Sequence, residues 1–148
     1  MSDFARAPNY NSENHKSKIK FILMIVECYK ILKKIEARPA MFTGAISLGS
    51  IYCYISGYSQ ALLDNGIIRE ENELESFHDW VANKLGYYES TAGWVNMILA
   101  HSLDFNPKEI IWEEFLKVQI SKEQHLKSIN NFYNLVELFK KEIQLRKL

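Results

Sequence analysis

The stretch E36-ARPAMFTGAISLGSIYCYISG-Y58 decides how the chain is read. It holds three of the six glycines, one of the three prolines, one of the two cysteines and three tyrosines. Pro39 forces the residue before it out of the α region, so a helix arriving from the N-terminal side ends near Ala37 or Arg38. Gly44 is expected to take a positive φ that turns the chain. Ser47 then reads as the N-cap of a second helix, with Leu48, Ile51, Tyr52, Ile55 and Leu62 as its large apolar face. Gly49, Cys53 and Gly57 recur at i, i+4 and i+8 beside that face. A glycine inside a helix costs roughly 1 kcal/mol against alanine, so the stripe is expected to lie under a closely packed neighbouring helix. The segment therefore reads as helix, corner, helix.

Outward from this corner the same period continues. Ile22, Ile25, Val26, Tyr29, Leu32 and Ile35 predict a first helix from about Lys18, after a loose polar tail over 1–16. Asp64-Asn65-Gly66 stops the second helix. A third is expected over about 71–85, with Leu74, Phe77, Val81 and Leu85 inward, closed by Gly86. A fourth starts near Gly93 and carries Trp94, Met97, Ile98 and His101 inward. Asn106-Pro107-Lys108-Glu109 reads as N-cap, N1 proline and acidic N3 of a fifth helix, which buries Ile110 or Ile111, Phe115 and Val118. The last spans roughly 123–146, with Ile129, Phe132, Val136, Phe139 and Ile143 inward. No two-residue alternation competes. The expectation is an all-α chain, one domain over 17–148 with five or six packed helices.

Bulk properties bound the function. The chain has 148 residues, 47% of them hydrophobic and 13% aromatic, enough for one core. Eighteen basic residues balance eighteen acidic ones, so no global field favours nucleic acid or an anionic membrane. The apolar run Phe21–Val26 is too short to span a bilayer and is interrupted by Glu27 and Lys30; it reads as part of a buried helix. Cys28 and Cys53 show no CxxC spacing and read as reduced core thiols of a cytoplasmic protein, the alternative being one bridge between them.

Motifs for chemistry are sparse. Glu75-x-x-His78 has the local spacing of a di-iron ligand pair, but the second copy and the two further glutamates such a bundle requires are missing. His101 and Asp104 form one more i, i+3 pair. Walker A, GxGxxG and GxSxG patterns are absent. Gly44 to Gly49 precedes a helix N-terminus but lacks the lysine and strand of a phosphate loop. No enzyme activity, metal or cofactor is expected. Charge is segregated, however. From Asp64 to Glu114 eleven acidic residues stand against Arg69, Lys84 and Lys108, a local net of −8 balanced by +8 elsewhere. Glu70, Glu71, Glu73, Glu75, Asp79, Asp104, Glu109 and Glu113, with Tyr87, Tyr88 and Trp112 nearby, are the candidate surface for a basic protein partner.

Arg38-Pro39-Ala-Met41-Phe42-Thr-Gly44, then Ser47-Leu48 and Gly57-Tyr58, resembles a pattern of small helical bacterial proteins: RP-x-M-(Y/F)-x-G, a serine-led helix and a G-Y near its end. Gly93-Trp94 before Ile98-Leu99 and the helix after Pro107 extend the likeness over about residues 30–118. The pattern is similar to that of immunity proteins of contact-dependent growth inhibition and related polymorphic toxin systems. The resemblance implies a cytoplasmic, non-enzymatic protein. Its partner would be the C-terminal toxin domain of a large secreted effector, often a nuclease, with neither nucleic acid nor membrane bound directly. It also implies that Arg38, Pro39, Met41, Phe42, Gly44, Ser47, Gly57 and Tyr58 serve the scaffold rather than the toxin contact. The rival reading is a small ligand-binding regulator or enzyme using the corner from Arg38 to Ser47.

Overall fold

Among the described residues the longest helix is the last one, and three others pack against it. The computed structural model describes residues 25–68, 76–87 and 92–146. Residues 25–27 are helical. Seven helices come after them: α1 Tyr29–Ala37, α2 Pro39–Thr43, α3 Leu48–Asp64, α4 Phe77–Leu85, α5 Gly93–Ser102, α6 Trp112–Phe115 and α7 Lys122–Arg146. The fold is all-α, with no strand among the described residues. None of the described helices is long and apolar enough to cross a membrane.

The boundaries obey local chemistry. Arg38 breaks α1 with φ −148 and ψ 67, and Pro39 at the first position starts the five-residue α2. Gly44 ends α2 at φ 78. Thr43 Oγ1 donates to the carbonyls of Pro39 and Ala45 across this corner, at 2.9 and 2.8 Å. Ser47 caps α3, its Oγ accepting from Ser50 N–H at 3.1 Å. Ser121 and Gln124 cap α7 reciprocally, each side chain accepting from the other's N–H. The helices outnumber the five or six expected because Pro39 begins a helix of its own. The helix expected after Pro107 shrinks to the single turn of α6. Of the helix expected over about 71–85, residues 71–75 with Leu74 lie outside the described residues; Ser76 is extended, with ψ 148, and caps the helix that starts at Phe77 through Asp79 N–H.

Aromatic rings fill the centre. The Trp94 indole stacks on Phe132 at 5.0 Å and 11° and meets Phe77 edge-on at 5.3 Å. Phe77 also touches Phe132, Phe139 and Trp80, joining α4 to α7. Tyr52 of α3 closes the cluster against Trp94 at 5.7 Å. Helix α5 thus packs against α3, α4 and α7.

Polar ties fix α7 to its neighbours. Tyr133 Oη donates to the Leu32 carbonyl at 2.7 Å, and Tyr29 Oη to the Glu137 carboxylate. Lys140 Nζ lies 3.6 Å from the centre of the Tyr29 ring. Trp80 Nε1 and Lys84 Nζ both donate to Glu142, whose carboxyl is held below the ordinary glutamate range by those two hydrogen bonds. Asn131 Nδ2 donates to the buried Ser102 Oγ at 2.8 Å.

Three expectations about burial are corrected. His101 is exposed and its neighbour Ser102 is buried, so the last turn of α5 is covered at Ser102, while Trp94, Met97 and Ile98 are buried as expected. Cys28 is buried, and that burial pushes its thiol up to about 12, but Cys53 is exposed; both thiols are free. Gly49 and Gly57 are exposed as well. A Cβ at Gly57 would meet nothing within 4 Å, and one at Gly49 only the Ser47 hydroxyl at 4.0 Å. The small-residue stripe therefore faces outward, because the buried face of α3 is the adjoining one of Leu48, Ile51, Ile55 and Ser59.

Gly57→Ala is accordingly expected to raise stability by about 1 kcal/mol, the helix-propensity difference between the two residues. A urea melt measures it, and a lower midpoint would mean that a neighbouring backbone does press on this face.

Candidate functional site

The connection between α5 and α7, residues 103–121, is long for a helical fold and contains only the four-residue α6. Its path is set at the end of α5. Asp104 takes φ 62, the one positive value among the described non-glycine residues. The Phe105 N–H then reaches back to the Ala100 carbonyl at 3.1 Å, a left-handed C-terminal closure that usually uses glycine. Asn106 next folds a turn. Its Oδ1 accepts from Lys108 N–H at 3.0 Å, and its carbonyl accepts from the N–H groups of Glu109 and Ile110. Asn106 does cap this turn, yet the helix does not propagate, because Ile111 is extended at φ −107 and ψ 105. Helix α6 begins only after it.

Rings hold this connection to the body of the protein. Tyr87 is 2% exposed, and its hydroxyl, raised by burial, donates to the Phe105 carbonyl at 2.8 Å. Its ring lies 5.6 Å from that of Trp112. Phe115 is buried between Trp112 and Phe105, with centroids at 5.6 and 5.1 Å. Beside them an open cleft of about 390 Å³ is lined by Leu103, Asp104, Phe105, Asn106, Glu109 and Ile110.

The candidate partner-binding residues separate into groups on this frame. Asp104, Glu109 and Glu113 are exposed on one connection, with Glu114 beside them, and Asp79 is exposed in the first turn of α4. Asp104 approaches Lys127 at 3.9 Å. The other four carboxylates form no ion pair with another described residue. Tyr87 is a correction: it is an internal anchor and offers no surface to a partner. Trp112 is half-buried against it. Glu70, Glu71, Glu73, Glu75 and Tyr88 lie outside the described residues, and with Glu75 so does the Glu75-x-x-His78 pair. Among the described residues no three His, Cys, Asp or Glu side chains converge as metal ligands would.

The corner from Arg38 to Ser47 also divides. Pro39, Gly44 and Ser47 set helix ends, and Phe42 packs edge-on to Tyr54 at 6.5 Å. Arg38, Met41, Gly57 and Tyr58 are exposed instead, and Met41 Sδ lies 4.0 Å from the Arg38 guanidinium. The hydroxyls of Thr43 and Ser50 donate to backbone carbonyls of the corner itself.

The structure adds apolar surface residues that the sequence pattern does not reveal. Ile111 is 57% exposed, Leu116 62%, Val118 43% and Phe105 36%. Ile110 and Ile111 are adjacent, so one has to point away from the core. Val118 would lie inward only on a longer α6. Comparison with protein-family models, curated proteins and solved structures finds no match to this chain.

Asp104 is costly where it stands. An L-residue in the left-handed region is disfavoured, and a carboxylate beside the C-terminal carbonyls of α5 opposes the helix dipole. Asp104→Gly is expected to stabilise the protein by about 1 kcal/mol. A urea midpoint that falls would show that the Lys127 contact outweighs both penalties.

Proposed function

We propose that this chain is a non-catalytic binding protein that acts in the cytoplasm as an immunity protein. It neutralises a basic toxin domain, the C-terminal domain of a secreted effector, by covering it with acidic surface. The observation that carries this reading is the grouping of exposed carboxylates, Asp104, Glu109, Glu113 and Glu114, on the one segment between α5 and α7. Asp79, Glu109, Glu113 and Glu114 are exposed with no ion pair to another described residue. Carboxylates that the fold does not use remain available to an incoming cationic surface. A nuclease toxin, which has to approach phosphate, fits that description. The likeness of the segment from Arg38 to Tyr58 to immunity proteins supports the same reading.

A ligand site at the Arg38 corner is the second reading, favoured by the exposed Arg38 guanidinium. It has less support, because the hydroxyls of Thr43 and Ser50 are already hydrogen-bonded to the corner's own carbonyls.

The test is co-expression with the toxin domain encoded beside this chain. Wild type should protect cells. Combined Asp79→Lys, Glu109→Lys and Glu113→Lys should abolish protection with the helical circular dichroism unchanged, while Lys34→Glu with Lys141→Glu should protect normally. Association should slow as salt is raised. Full protection by the acid-reversed variant would refute the acidic-surface reading.

A further inference from the structure

We infer that the energetic core of this interface is apolar: the exposed side chains of Phe105, Ile111, Leu116 and Val118 form a docking surface for a protein segment that combines apolar residues with cationic ones. The inference rests on the function proposed above and specifies the chemistry of the partner. Four of the large hydrophobic residues exposed among the described residues fall within 105–118, on the connection between α5 and α7. Scattered surface hydrophobes are ordinary, whereas a concentration of them on an irregular segment marks an interaction surface. The segment is held in shape from beneath, since Phe115 and Trp112 pack on Phe105 and Tyr87. The backbone therefore presents these side chains without having to be ordered on binding, which lowers the cost of association.

Charge selects the occupant. Asp104, Glu109, Glu113 and Glu114 are interleaved with the apolar positions and outnumber the two cations of residues 103–118, Lys108 and Lys117, while Lys127 approaches Asp104 at 3.9 Å. An anionic lipid surface would be repelled, and a purely apolar partner would leave the carboxylates unmatched. A segment with lysine or arginine beside leucine-like residues satisfies both features. Its apolar residues would supply the lasting contact and its cations the rate of encounter.

The experiment uses the full ¹⁵N-labelled chain and three short synthetic peptides, one of lysine and leucine in amphipathic order, one of lysine and serine, and one of glutamate and leucine. The lysine–leucine peptide should shift amides confined to residues 103–118. Its affinity should fall at least tenfold in the Ile111→Ser, Leu116→Ser double variant, whose substituted side chains are exposed and outside the core. The lysine–serine peptide should bind at least tenfold more weakly, and the glutamate–leucine peptide should not bind. Equal binding by lysine–serine, equal binding by glutamate–leucine, shifts centred elsewhere, or an unchanged affinity in the variant would each overturn the inference. Sedimentation should show a monomer; a dimer dissolved by Leu116→Ser would overturn it by assigning the surface to a second copy. The two readings fail separately. If the double variant neutralises the toxin as wild type does, the apolar core is wrong and the immunity function stands. If the peptides behave as expected while wild type gives no protection, the docking surface stands and the immunity function falls.

Discussion

The Trp94 indole, stacked on Phe132 and crossed by Phe77 and Tyr52, is the contact on which the rest of the structure depends. Through it α5 is fixed to α7, α4 and α3 together. Its Nε1–H is buried without a hydrogen-bond partner among the described residues, at a cost of about 1–3 kcal/mol. A tryptophan buries about 150–250 Å², worth about 4–6 kcal/mol at the usual coefficient, before any gain from ring geometry. The area term wins, so an unsatisfied donor at the centre of the core is tolerated.

Around this centre α7 acts as the spine, and its polar contacts select one arrangement of the helices. Each exposed ion pair is worth little: Lys84 and Glu142 are both partly solvated. The buried bond from Tyr133 Oη to the Leu32 carbonyl is different, because a shift of α1 along α7 would leave that hydroxyl unsatisfied in the interior. Tyr29 with Glu137, Trp80 with Glu142 and Asn131 with Ser102 repeat the same device toward α1, α4 and α5. The hydrophobic cluster supplies the driving force, and these bonds supply the register.

Helix ends are legible in the sequence wherever a single residue type enforces them. Pro39, Gly44, Ser47, Asn65 and Gly86 each act through backbone geometry or a local cap, and the structure uses all of them in that way. Sequence and structure part where the outcome depends on tertiary placement. The stripe of Gly49, Cys53 and Gly57 has a helical period, but period alone does not say which face is covered. Asn106-Pro107 has the form of a helix start, yet the extended Ile111 halts the helix after one turn. The candidate site is legible in its charges and not in its shape. Asp104, Glu109 and Glu113 are picked out by composition, whereas Tyr87 is internal; the adjacency of Ile110 and Ile111 already sends one of them outward, and the exposure of Val118 emerges only once α6 is seen to be short.

The described residues thus form an aromatic-centred helical body that carries an acidic and apolar connection pinned at a few rings. Amide hydrogen exchange on the full chain tests that division most directly. Amides of Trp94 to Ala100 and of Ile129 to Ile143 are predicted to exchange only through global unfolding, while those of Asp104 to Val118 exchange through local openings of lower free energy. Exchange of Asp104 to Val118 with the global unfolding energy, or local opening of α7 while α5 stays protected, would contradict it.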